Sequence, residues 1–220
     1  MKGLLHYRLP PSWVPDALVQ LAAAHLERSG LVIAPTETSY LLGAGADDCT
    51  AVDALIALKG RGQDKTMSIA VLDAAAAAVW GRLDQRAMAL IERFWPGPLT
   101  LVVPATGVAL ARLHAACVSP AGAVALRSPR EPFLAALLRR YRHPLTATSA
   151  NRSGGPEPTS VAVVRALLAA DATGSAMFFD AGDLRAGLPS TVLDLSVAPA
   201  RILRSGPIGR EEIARIAECQ

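Results

Sequence analysis

Apolar positions along this chain follow two rhythms that alternate from one end to the other. Between Asp16 and Ser29 they recur at helical spacing, with Leu18, Leu21, Ala22 and Leu26 on one face, which predicts an amphipathic helix. Gly30 is expected to end it in a left-handed conformation. Leu31–Ala34 is a short continuous apolar run, read as a buried strand that Pro35 stops, and Thr36–Tyr40 form its polar exit. A strand end opening into Thr, Glu and Thr suits a ligand site. Asp48 is expected to cap a helix running to Leu58, with Val52, Leu55 and Ile56 inward. Lys59 and Arg61 follow at its C-terminal end, where the helix dipole favours cations.

The alternation continues. Strands are predicted at Met67–Leu72, Leu99–Val103, Val124–Arg127, Leu145–Thr148, Ala176–Asp180, Thr191–Leu195 and Arg201–Arg204. Helices are predicted at Asp84–Phe94, Pro132–Tyr141, Ser160–Ala170 and Gly209–Ala217. Ser153-Gly-Gly-Pro156 reads as a firm turn. Strands and helices interleaved in this way predict an α/β fold. Their order is not purely βαβ, so the sheet should be mixed, twisted and open. No repeat, linker or boundary divides the 220 residues, so a single domain over 1–220 is expected.

Composition changes this picture little. The chain is rich in Ala, Leu and Val and carries enough apolar surface for a large core. No apolar run is long enough to span a bilayer, and Met1–Pro15 lacks the features of a secretory leader, so a cytoplasmic location without membrane attachment is expected. Cys49, Cys117 and Cys219 have neither disulfide nor zinc spacing, and His6, His25, His114 and His143 are scattered. The net charge of +3 permits an anionic substrate or RNA without requiring either. Arg127, Arg130, Arg139, Arg140, Arg142 and His143 form either a solvated helix face or a patch for a nucleotide or tRNA.

Candidate chemistry rests on Lys59-Gly-Arg61 read with Thr148-Ser-Ala-Asn151: cations that suit phosphate oxygens, and a small polar turn that suits the rest of a nucleotide. Pro35-Thr-Glu-Thr-Ser-Tyr40, Phe94-Trp-Pro-Gly-Pro-Leu-Thr100, Ala125-Leu-Arg127-Ser-Pro129, Pro189-Ser-Thr-Val-Leu-Asp194 and Ile202-Leu-Arg204-Ser-Gly206 accompany them. In this order the segments resemble the YrdC-type family of threonylcarbamoyl-AMP synthases, from about Gly30 to Gly206. The resemblance implies an open α/β sheet with a large concave, basic face. It implies an enzyme that forms threonylcarbamoyl-AMP and pyrophosphate from L-threonine, bicarbonate and ATP, for modification of adenosine 37 in tRNA. It assigns Thr38, Arg127 and Ser190 to threonine, with Arg127 gripping the carboxylate as a bidentate fork. It assigns Lys59, Arg61, Ser149, Asn151 and Arg204 to ATP, with Mg²⁺ accompanying the phosphates. Partners it implies are tRNA and the proteins that transfer the threonylcarbamoyl group. The chain ends soon after Arg204, which corresponds to the short form without an extra C-terminal domain.

The resemblance departs at Leu41, where the family has glycine, at Gly62 and Thr66-Met67, where it has proline and Pro-Leu, and at Ala70, near which many members carry histidine. These departures leave open a paralogue with another carbamoyl or acyl acceptor. A third reading, a non-catalytic RNA-binding protein, rests on the basic balance and the concave fold; the chain has no RNA-binding motif or series of stacking aromatics. No catalytic nucleophile context, Walker A or Rossmann fingerprint is present, so the resemblance carries no assigned catalytic residue.

Overall fold

A computed structural model of the chain describes residues 5–60, 62, 66–169, 171, 174–185 and 187–217. Ten strands are present among them: β1 (Leu5–Arg8), β2 (Leu31–Pro35), β3 (Tyr40–Gly43), β4 (Ser68–Ala70), β5 (Leu99–Pro104), β6 (Ala123–Arg127), β7 (Leu145–Ser149), β8 (Ala176–Asp180), β9 (Thr191–Asp194) and β10 (Arg201–Arg204). They form one sheet in the order β1-β8-β2-β3-β7-β4-β6-β5-β9-β10. Its pairs are both parallel and antiparallel, so the sheet is mixed as expected: β2 runs parallel to β8 but antiparallel to β3, and β4 runs parallel to β6 but antiparallel to β7. The helices are α1 (Asp16–Leu26), α2 (Cys49–Lys59), α3 (Ala74–Trp80), α4 (Gln85–Phe94), α5 (Gly107–Arg112), α6 (Pro132–Tyr141), α7 (Val161–Leu168) and α8 (Arg210–Ala214).

The pleat sorts side chains onto two faces. On β2, Leu31 and Ile33 enter one core and Val32 and Ala34 the other; on β8, Ala176 and Phe178 part from Met177 and Phe179 in the same way. The larger core takes Val52 and Leu55 of α2, Leu90 and Ile91 of α4, Val164 and Leu167 of α7, and Ile213 of α8. The smaller core takes Val19, Ala22 and Leu26 of α1 and Phe133, Leu134 and Leu137 of α6. On β5 and β6 the larger core receives Leu99, Leu101, Val103, Val124 and Leu126. Alternation therefore turns Thr100 and Arg127 toward the opposite face, that of the smaller core, and there the polar cavity opens.

Local chemistry sets the helix ends. The Asp48, Asp73, Asp84 and Ser160 side chains accept from the backbone N–H three residues on, capping α2, α3, α4 and α7; removal of such a cap costs ~1 kcal/mol. α1 ends differently from expectation. Ser29 is the left-handed residue, at φ 58°. Gly30 instead permits a close approach: a Cβ there would sit 2.3 Å from the His25 ring, whose Nε2 lies 2.8 Å from the Ser175 carbonyl. Pro35 closes β2 rather than stopping it one residue earlier, and the Tyr40 end of the polar exit is the start of buried β3. β1, α3 and α5 are additional elements. The predicted end of the 160–170 helix, Ala170, lies outside the described residues, as does Cys219; Cys49 is exposed and Cys117 buried.

Candidate functional site

The turn after β2 is organised by Thr36. Its Oγ1 accepts from the N–H groups of Thr38 and Ser39, both at 3.1 Å, and donates to the Ser39 carbonyl at 2.7 Å. The Thr38 hydroxyl lies 3.0 Å from it and borders the cavity.

Arg127, at the end of β6, is held along one edge of its guanidinium. Nε donates to the Gly97 carbonyl at 3.3 Å, and Nη2 lies 3.0 Å from Glu37 Oε1. Both atoms of that ion pair are buried and neither makes an aligned hydrogen bond. Glu37 Oε2 accepts from the Arg130 N–H at 3.3 Å. The bidentate grip on a ligand carboxylate expected from the sequence is therefore not open in this geometry. Nε and Nη2 both face the protein and Nη2 is buried, so neither edge of the fork offers two nitrogens, and Nη1 is left for a single contact. Arg204, at the end of β10, is held in the same way: Nε donates to the Ser190 carbonyl and Nη2 to Ser190 Oγ, both at 2.9 Å. Burial, and then the charge of Arg127, lower its pKa. Ser190 Oγ also lies 2.9 Å from Thr100 Oγ1. Gly206 lets the chain pass beneath this group, since a Cβ there would lie 2.3 Å from the Pro189 carbonyl.

Lys59 and Asn151 lie behind the cavity wall. Lys59 is only 3% exposed, and its Nζ donates to the carbonyls of Ser149 and Asn151, the latter at 2.9 Å. Asn151 Nδ2 donates to the carbonyls of Gly155 and Pro156, at 2.9 and 2.8 Å, and its Oδ1 accepts from Ser149 Oγ at 2.7 Å. These two side chains shape the loop, and Ser149 turns lone pairs, not its proton, toward the cavity. Arg61 lies outside the described residues.

One cavity of about 260 Å³ is lined by Thr38, Arg127, Ser149, Ser190 and Arg204 together. These five come from segments far apart in sequence. Leu41, Thr66 and Met67, three of the departures, also line it, whereas Ala70 is buried in the smaller core. Thr36, Thr100 and Glu157 line it too; the first two lay in segments noted in the sequence but were given no ligand, and Glu157 was not noted. Alternation along β5 was the available signal for Thr100; none marked Glu157. Tyr40 is both wall and core: its hydroxyl donates to the Gly182 carbonyl at 2.6 Å and accepts from the Ala181 N–H at 2.9 Å. The arginine group divides. Arg139, Arg142 and His143 line a separate cavity with Trp80 and Arg112, and exposed Arg130 donates to the Pro96 carbonyl.

Among the described residues no three His, Cys, Asp or Glu side chains group as a metal site, and Glu157 is the carboxylate lining the cavity. This donor set fits a cation carried in by phosphates better than one caged by protein.

Residues 24–206 match the Sua5, YciO and YrdC family, which carries the description "Telomere recombination". A threonylcarbamoyl-AMP synthase of Pyrococcus abyssi is 36% identical over 200 residues, covering 90% of this chain and 56% of that protein. A putative threonylcarbamoyl-AMP synthase of Mycobacterium tuberculosis is 37% identical over 201 residues, covering 89% of this chain and 87% of that protein. The crystal structure of P. abyssi Sua5 complexed with L-threonine superposes with a TM-score of 0.84 at 33% identity, over 98% of this chain and 62% of that one. The chain thus spans little more than half of the archaeal relative and most of the mycobacterial one.

Proposed function

The chain belongs to the Sua5, YciO and YrdC family, and from that premise we propose that it is an L-threonylcarbamoyladenylate synthase. The reaction joins L-threonine, bicarbonate and ATP into threonylcarbamoyl-AMP and releases pyrophosphate and water. What carries the reading is one observation: residues of the threonine set (Thr38, Arg127, Ser190) and of the nucleotide set (Ser149, Arg204) line a single cavity. A product in which both substrates are joined through one carbon requires that. Positioning of this kind lowers a barrier without a protein nucleophile.

In this reading the threonine carboxylate meets Nη1 of Arg127, and the Thr38 hydroxyl meets its ammonium or hydroxyl. Ser190 and Thr100 complete the amino-acid side. Arg204 faces the phosphates through the edge that Ser190 leaves open, and Ser149 accepts from a ribose hydroxyl. Lys59 and Asn151 hold the loop on which Ser149 stands. Mg²⁺ travels with the triphosphate and neutralises part of its charge. The product serves a threonylcarbamoyl transferase acting on tRNA. No helix among the described residues is long and apolar enough to cross a membrane. The test is pyrophosphate release from ATP and bicarbonate with each amino acid in turn. Release that depends on L-threonine and exceeds that with serine or valine is expected; release independent of the amino acid, or none, overturns the reading.

A further inference from the structure

The loop after β2 carries a carboxylate that the functional reading leaves without a task. Glu37 does not line the cavity, yet its carboxylate lies against the guanidinium that does, with side-chain exposures of 20% for Glu37 and 12% for Arg127. Burying a charge to this extent costs free energy unless it is paired or hydrogen-bonded. Glu37 has both: the Arg127 contact on Oε1 and the Arg130 N–H on Oε2. The contact joins two parts of the sheet that the chain order keeps apart, the β2–β3 turn and the end of β6. Arg127 has a second anchor at the Gly97 carbonyl, supplied by the Trp95-Pro-Gly-Pro98 loop.

Resting on the reading above, we propose that Glu37 is a positioning residue: by holding Nη2 it fixes Arg127 so that Nη1 alone meets the amino-acid carboxylate. The geometry separates this from a role in chemistry. The Glu37 carboxylate is engaged on both oxygens, by Arg127 and by the Arg130 N–H, and Glu37 is not among the residues that line the cavity. It also sets the charge of the site. Arg127 and Arg204 stand in one cavity and repel each other, and the Glu37 carboxylate offsets one of the two. Without it, Arg127 keeps only its anchor at the Gly97 carbonyl, and Nη1 is no longer aimed at the amino-acid carboxylate.

The first readout needs no substrate. In ¹⁵N-detected NMR of the ligand-free protein, with Arg127→Lys identifying the signals, the Arg127 guanidinium nitrogens should be resolved because rotation about Cζ is hindered. In Glu37→Gln they should merge. The second readout is kinetic. Glu37→Gln keeps the shape and an acceptor for Arg130 but loses the charge, so the KM for L-threonine should rise by about tenfold, the scale of one charged hydrogen bond. The kcat and the KM for ATP should change less than about twofold, because the lost contact serves ground-state binding. Glu37→Asp keeps the charge at shorter reach and should recover part of the loss. Identical Arg127 spectra in wild type and Glu37→Gln overturn the proposal, as does an unchanged threonine KM or a fall in kcat that tracks melting temperature alone. If the spectra differ as expected while the wild type binds no L-threonine by calorimetry, the positioning of Arg127 stands and the proposed function fails.

Discussion

At the scale of single residues, the site is governed by where a few protons are used up. Ser190 Oγ accepts from Arg204 and shares a hydrogen with Thr100, so it ties β10 to β5 at the cavity wall. Ser190→Ala should raise the KM for L-threonine and, through the loosened Arg204, also that for ATP; steady-state kinetics varying each substrate in turn checks this. The expected stability loss is about 1–2 kcal/mol, the size of one charge-assisted hydrogen bond. Tyr40 offers a pH test. Burial, partly opposed by the Ala181 N–H, pushes its hydroxyl up to about 12 from an ordinary value of 10.0. A group raised in the folded state adds stability that is complete below the unfolded pKa and is lost as pH climbs through the folded one. The stability gap between wild type and Tyr40→Phe should therefore be widest below pH about 10 and should close toward pH about 12. Urea unfolding at pH 8 and pH 11 measures it. Tyr141, also pushed up to about 12, is common to both proteins and cancels.

At the scale of elements, the pattern of apolar positions predicted well wherever an element's reason is local. α6, β8 and β10 appear at the predicted residues, and Asp48 caps the helix it was expected to cap. It failed where contrast is missing or the partner is remote. α3 is mostly alanine, so no apolar face stands out in its sequence. β3 pairs with β7, more than a hundred residues further on, and its polar prelude reads as an exit loop. The candidate site divides in the same way. The family resemblance marked Thr38, Arg127, Ser149, Ser190 and Arg204, and all five line one cavity. The contacts of Lys59 were not legible, because they include backbone carbonyls about ninety residues away. A cation at a helix end and a cation reaching a phosphate have one sequence pattern. Here α2 and the loop after β7 are joined by that ammonium, so Lys59→Met should lower stability by about 1–3 kcal/mol per carbonyl left unpaired. It should weaken ATP binding through loss of loop order rather than loss of a phosphate contact. Thermal unfolding together with the salt dependence of ATP binding separates the two: a weakened affinity with unchanged salt dependence is expected.

At the scale of the whole molecule, the sheet has a large core on one face and a smaller one on the other, and the second leaves room for the cavity. α1 and α6 cover part of that face. Beyond them β4–β7 and β9–β10 contribute Ser68, Thr100, Arg127, Ser149, Ser190 and Arg204 in place of apolar side chains. Function and fold thus compete for the same surface, and the inward-facing polar positions hold one another through hydrogen bonds. Arg204→Ala should weaken ATP binding by calorimetry about tenfold or more, with a smaller effect on L-threonine. An equal loss for both would place Arg204 between the two sets rather than with the phosphates.

The central claim is that both substrates meet in this one cavity. A crystal structure of the protein grown with ATP, bicarbonate, L-threonine and Mg²⁺ tests it most directly. The account predicts density for joined or adjacent ligands there. The amino-acid carboxylate should lie within hydrogen-bond reach of Arg127 Nη1, the hydroxyl near Thr38 or Ser190, and a phosphate oxygen beside Arg204. Ligand density outside the cavity lined by Arg127 and Arg204, or a nucleotide and an amino acid held in separate cavities, would contradict it.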